Sequence, residues 1–168
     1  LHINAAPWPV DESGSAVRQL VDANHTHVLI FGCMTEDEMA LPLQREQLFR
    51  KVTNGSGLAE LELGESLGLA LGEATGLPPS HYDGRNAVLI EGQTPYLWAR
   101  NLLLLRYIEC PVVLLEPYIA NSRDSYSRFQ TALRQLQDGG QPAKDDILLE
   151  YTDAVVAAVL ATYGPEKD

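Results

Sequence analysis

One stretch constrains this chain more than any other: Thr94 to Ile119, TPYLWARNLLLLRYIECPVVLLEPYI. It is the longest apolar run, yet it holds Trp98, Arg100, Arg106 and Glu116. Charged side chains are rarely fully buried unless they are paired or put to use. Two folds of the stretch compete. Thr94-Pro95 is a good helix start, a capping hydroxyl followed by proline at the first helical position. That predicts a helix over Tyr96–Ile108 and a short buried strand, Val112–Glu116. Alternation predicts instead a hairpin that turns near Glu109-Cys110-Pro111 and returns as Val112–Ile119. Periodicity alone leaves both open.

The chain has 168 residues, enough for one domain with a real core. At 45% apolar residues it is not disordered by composition, and no run reaches the roughly 18 residues of a membrane span. A formal net charge of −11 argues against a nucleic-acid partner, because phosphate binding needs a basic face. Cys33 and Cys110 are the only cysteines, too few for a disulfide scaffold or a zinc pattern, and are expected to be free. The opening LHINAAPWPV lacks the charged and apolar regions of a signal peptide, which favours a cytoplasmic protein.

In chain order, residues 1–12 read as an extended, proline-rich arm, and Ser13–Ala23 as a short helix. His27–Phe31 (HVLIF) reads as a buried strand, followed by Thr35 as the cap of a turn that opens Glu36-Asp37-Glu38. Leu48–Thr53 and Leu58–Leu63 alternate around Asn54-Gly55-Ser56-Gly57, which predicts a β-hairpin. Gly64–Gly76 reads as a small-residue helix in an exposed acidic context, and Ala87–Ile90 as another strand. Ser122–Gln137 and Lys144–Tyr163 read as two amphipathic helices. The fold class expected is α+β, an antiparallel sheet with flanking helices and two C-terminal helices. The alternative is a three-layer α/β domain with Val28–Phe31, Ala87–Ile90 and Val112–Leu115 as short parallel strands.

Three of these pieces, in order, resemble the chorismate pyruvate-lyase superfamily. The first is a strand running into Gly32-Cys33-Met34-Thr35. The second is Phe49-Arg50-Lys51-Val52, a glycine turn, and a return to Glu65-Ser66. The third is Leu97-Trp98-Ala99-Arg100, followed by Pro111-Val112-Val113-Leu114-Leu115-Glu116. The resemblance covers about Val28–Ile119. Asn101-Leu102 stands where that family carries basic residues.

The resemblance implies a cofactor-free carbon–oxygen lyase, or a binder, acting on a small cyclic or aromatic carboxylate. Arg50 would clamp the ring carboxylate, since a guanidinium fork matches carboxylate geometry. Glu116, its pKa raised by apolar walls, would serve as the acid. Met34, Thr35, Trp98, Arg100 and Leu114 would line the pocket. The bland readings are that Arg50 is a surface arginine, that Glu116 pairs with Arg100 or Arg106, and that Met34 and Trp98 are core. The four histidines, His2, His25, His27 and His81, show no metal spacing. The competing class of function is a non-catalytic regulatory or assembly module. Its C-terminal helices would bury Tyr151, Val155 and Leu160 against the sheet or in a homodimer contact.

Overall fold

A computed structural model describes residues 2–165. The chain forms β1 (His27–Phe31), α1 (Glu36–Ala40), α2 (Pro42–Thr53), α3 (Ser56–Thr75), β2 (Ala87–Leu89) and β3 (Leu97–Arg100). It continues through α4 (Leu103–Tyr107), β4 (Leu114–Glu116), α5 (Arg123–Gln137) and α6 (Ile147–Tyr163). The four strands make one sheet in the order β2-β3-β1-β4. Only β1 and β3 run parallel; β2 and β4 join them antiparallel. The class is α+β, and the all-parallel alternative is excluded.

Register assigns every strand residue to a face. His27 pairs with Glu116, Leu29 with both Leu114 and Trp98, Phe31 with Arg100, and Trp98 with Leu89. Side chains alternate along a strand, so these share one face, and Val28, Ile30, Leu97, Ala99 and Leu115 share the other. The second face carries the helices: Leu67 and Leu71 of α3 and Ala154 and Ala158 of α6 pack on Val28, Ile30, Leu97 and Leu115. Each leucine buried completely there, such as Leu71 or Leu97, contributes about 2 kcal/mol. The first face is covered more thinly, by Leu105 of α4 and by Tyr82, Leu102 and Val112.

Glycine spacing explains why α3 lies so close to the sheet. Gly64, Gly68 and Gly72 recur every four residues on one side of the helix and are buried, not exposed as their acidic surroundings suggest. A Cβ at Gly64 would lie 2.8 Å from Leu97 Cδ1, and one at Gly68 2.8 Å from Thr94 Cγ2.

Several sequence expectations give way. The hairpin of Leu48–Thr53 with Leu58–Leu63 is a helix pair instead. Pro42 starts α2, and Asn54-Gly55 makes a turn between helices: Gly55 takes φ +79° and Asn54 Oδ1 accepts from Ser56 N at 2.9 Å. Local alternation loses there to the glycine-spaced face of α3, which can be buried only as a helix. Ser13–Ala23 forms no helix, because Asp11 Oδ1 accepts from the backbone N–H of Ser13 and of Ser15, both at 2.9 Å, and fixes a turn. Of the two folds of Thr94–Ile119, only the short strand expected over Val112–Glu116 stands, as β4. Leu97–Arg100 is a strand, α4 is confined to Leu103–Tyr107, and β1 lies between β3 and β4 so that they never pair. On α6, Tyr151 and Val155 are partly buried against the core, but Leu160 is 61% exposed.

Lys51 and Glu60 form a fully buried ion pair between α2 and α3. Lys51 Nζ also donates to Cys110 O (3.1 Å), and Glu60 Oε1 accepts from Val112 N (3.0 Å). Asn54 Nδ2 and Ser56 Oγ both donate to Glu109 O at 2.8 Å. The junction of α2 and α3 thereby grips residues 109–112, the segment leading into β4.

Candidate functional site

Glu116 ends β4 beside the first residue of β1, and both are buried. Its carboxylate lies between two imidazoles. His2 Nδ1 is hydrogen-bonded to Oε1 at 2.7 Å, and His27 Nε2 lies 2.8 Å from Oε2. The second contact is off the hydrogen-bonding direction, because His27 Nε2 is aimed at the Tyr82 hydroxyl, 2.7 Å away. His27 has no exposed surface, and its Nδ1 is buried without a partner. No tautomer cures this, since Nδ1 is left as either an unused donor or an unused acceptor. Trp98 Nε1 and Glu116 Oε2 are likewise buried without a hydrogen bond. Buried polar atoms are nearly always paired, so this grouping on one sheet face makes it the candidate site.

Tyr82 joins the two ends of this face. Its ring meets His27 edge-on at 5.4 Å between centroids and Trp98 at 5.1 Å. The Arg100 guanidinium carbon stands 5.7 Å from the centre of the same ring. Arg100 is half-buried and forms no ion pair with a carboxylate among the described residues. His2 arrives from outside the sheet: its N–H bonds Leu115 O at 2.9 Å, and Ala120 N bonds Asn4 O at 2.7 Å. The arm thus runs beside β4, which fixes His2 against Glu116.

Electrostatics decide what Glu116 can do. Burial raises its pKa, but the contacts and charge of His27 and His2 outweigh burial and hold it below the usual 4.5. It is therefore an ionised acceptor at neutral pH, which corrects the expectation of a carboxylic acid with a raised pKa. Pairing with Arg100 or Arg106 is also wrong. Arg106 donates to the side-chain oxygens of Gln47 (3.0 Å) and Asn101 (2.9 Å). His25, 5.6 Å from His27 between ring centres, is held below 6.5 by burial first and by His27 second, against an opposing pull from Glu116. Tyr82 is raised above 10 by burial and then by the Glu116 charge.

No family model, curated protein or solved structure matches this chain. The site therefore rests on its own geometry.

Of the residues expected from sequence, Glu116, Trp98, Arg100 and Leu114 share this sheet face. Arg50 does not reach it. It is exposed on α2, ion-paired with Glu46 at 2.7 Å and with Glu109, in a separate cleft of about 310 Å³ lined also by Leu43, Gln47, Arg106 and Tyr107. The cause is the helix that replaces the expected strand. Met34 and Thr35 are also elsewhere, past the far end of β1. There Thr35 caps α1 through a capping box with Glu38, and both line a shallow cleft with Glu36, Asp37 and Arg85. Sequence reasoning missed His2, His27 and Tyr82. Only His27 left a signal, as the polar first member of the His27, Leu29, Phe31 alternation. Both cysteines are free. Among the described residues, no group of three or more His, Cys, Asp or Glu side chains is disposed to hold a metal ion.

Proposed function

We propose that the protein binds a small aromatic or cyclic carboxylate beside Tyr82 and Arg100 on the thinly covered sheet face, at the end away from Glu116. Conversion there would be cofactor-independent acid–base chemistry of the carbon–oxygen lyase type. The observation that carries this reading is Arg100, a half-buried cation without a carboxylate partner among the described residues, stacked against an aromatic ring. A guanidinium in that state suits a ligand carboxylate, and the half-buried Tyr82 offers ring surface beside it. The substrate class follows the lyase resemblance, with the clamping arginine moved from Arg50 to Arg100. Glu116, being ionised, is no proton donor to a leaving oxygen; in this reading it orients an imidazole that is. Calorimetry with benzoate-type and enolpyruvyl acids tests the proposal. Arg100→Gln should weaken binding by about 2 kcal/mol and Arg50→Lys should leave it unchanged. Equal affinity of wild type and Arg100→Gln for every acid would end it.

A second reading has its own support. Val156, Val159, Leu160 and Tyr163 of α6 are exposed, and no charged residue occurs from Ala154 to Tyr163. An uncharged exposed helix on a protein of net charge −11 suits a partner-binding module or a homodimer. Sedimentation of wild type beside Leu160→Asp tests it: an assembly lost in the variant supports the module, and two equal monomers contradict self-association.

A further inference from the structure

The arm residue His2 meets Glu116 in the manner that makes an imidazole useful. A buried carboxylate holds Nδ1 at 2.7 Å, while the side chain is 57% exposed and its Nε2 has no hydrogen-bond partner among the described residues. A carboxylate on Nδ1 fixes the tautomer with the proton there. It leaves a lone pair on Nε2 and stabilises the imidazolium once Nε2 takes a proton. The carboxylate is itself steadied, since His27, anchored by Tyr82, lies against its other oxygen. The remaining histidines lack this combination. His27 is sealed from solvent, His25 has no hydrogen-bonded carboxylate among the described residues, and His81 pairs at 2.8 Å with Asp83, a carboxylate that is itself exposed.

We propose that His2 is the proton-transfer group of this corner of the sheet, with Nε2 the working atom and Glu116 the positioning residue. The inference rests on reading the corner as a site, and not on an aromatic carboxylate being its ligand. A small activated ester, p-nitrophenyl acetate, probes it. Nε2 takes a proton from the water that attacks the ester carbonyl, and p-nitrophenolate leaves with the bonding pair as the tetrahedral intermediate collapses. The imidazolium so formed faces Glu116 and gives its proton to solvent, as does the acetic acid, which returns the imidazole to its starting state.

Two readouts on the full chain decide the matter. Wild type should release nitrophenolate about a hundredfold faster than His2→Gln. Glu116→Gln should lose most of that advantage although His2 is present. Nitrogen NMR should find the proton of His2 on Nδ1 in wild type, and on Nε2, as in a free histidine side chain, in Glu116→Gln. If Glu116→Gln fails to fold, the His2→Gln rate and the wild-type tautomer decide alone, because the backbone bond from His2 to Leu115 survives that substitution. A rate unchanged in His2→Gln, or a wild-type proton on Nε2, overturns the proposal. The two ideas fail separately: acid binding without His2-dependent ester cleavage overturns this proposal alone, and His2-dependent cleavage without acid binding overturns only the carboxylate reading.

Discussion

His2 and His27 hold opposite oxygens of one carboxylate, at 2.7 Å and 2.8 Å, and differ in nearly everything else. One is an exposed residue of the arm; the other is sealed at the start of the central strand. The arrangement makes Glu116 structural on one side and available on the other.

Its pH dependence follows from the directions of the shifts. The folded state keeps His25 neutral below 6.5, where the unfolded chain binds a proton, so stability is complete above pH 6.5 and falls as the pH drops below it. Glu116 stays ionised below 4.5 in the folded state, so a second decline begins there as the unfolded carboxylate is protonated. Melting temperatures over a pH series should fall in two stages. Glu116→Gln should shrink the lower stage, to which Asp11 and Glu38, also held low by hydrogen bonds, still contribute.

Arg100→Gln should weaken binding of an aromatic carboxylate by about 2 kcal/mol, the worth of a hydrogen bond to a charged group. Its melting temperature should barely change, since no ion pair is broken. Arg50→Lys should bind as wild type does. Isothermal calorimetry with both variants gives the contrast.

Lys51→Met should cost about 3 to 5 kcal/mol, because Glu60 would be left buried and uncompensated. The double change Lys51→Met with Glu60→Leu should recover much of that loss. Urea unfolding of the two single variants and the double closes the cycle. Additive losses would show that the pair is not coupled.

Gly68→Ala should destabilise by about 1 to 3 kcal/mol, since the new Cβ would press on Thr94 and Tyr96. Gly57→Ala, on the same helix with nothing within 4 Å, should instead stabilise by about 0.5 kcal/mol. Thermal melts of both distinguish crowding from helix propensity.

The legible parts of this fold were those whose burial and local pattern agree. Val28–Phe31 is an uninterrupted apolar run, and His27–Phe31 is the central strand. Thr35 with Glu38 is a capping box in sequence and in space, and the span Ser122–Gln137 is α5 with Ser122 at the N-cap position. The α2–α3 pair was misread because six residues of alternation, Leu58–Leu63, mimic a strand. The decisive signal was the four-residue glycine spacing further along, whose meaning depends on a sheet that is distant in sequence. The site was half legible. Glu116, Trp98 and Arg100 announce themselves as polar or bulky groups in apolar strands. His2 and Tyr82 come from irregular segments and are brought in by long-range backbone pairing, which no local pattern records.

The grip of the α2–α3 junction on residues 109–112 has a consequence for whoever mutates this molecule. β4 has only three residues, and one hydrogen bond from Val112 to Glu60 lies just ahead of it. A strand so short has little of its own to resist slippage, and a slip by one residue would turn Glu116 to the helical side of the sheet. The alignment of the histidines' shared carboxylate is thus inherited from an ammonium group on another helix. Damage at Lys51 should surface first as a histidine signal that has lost its neighbour.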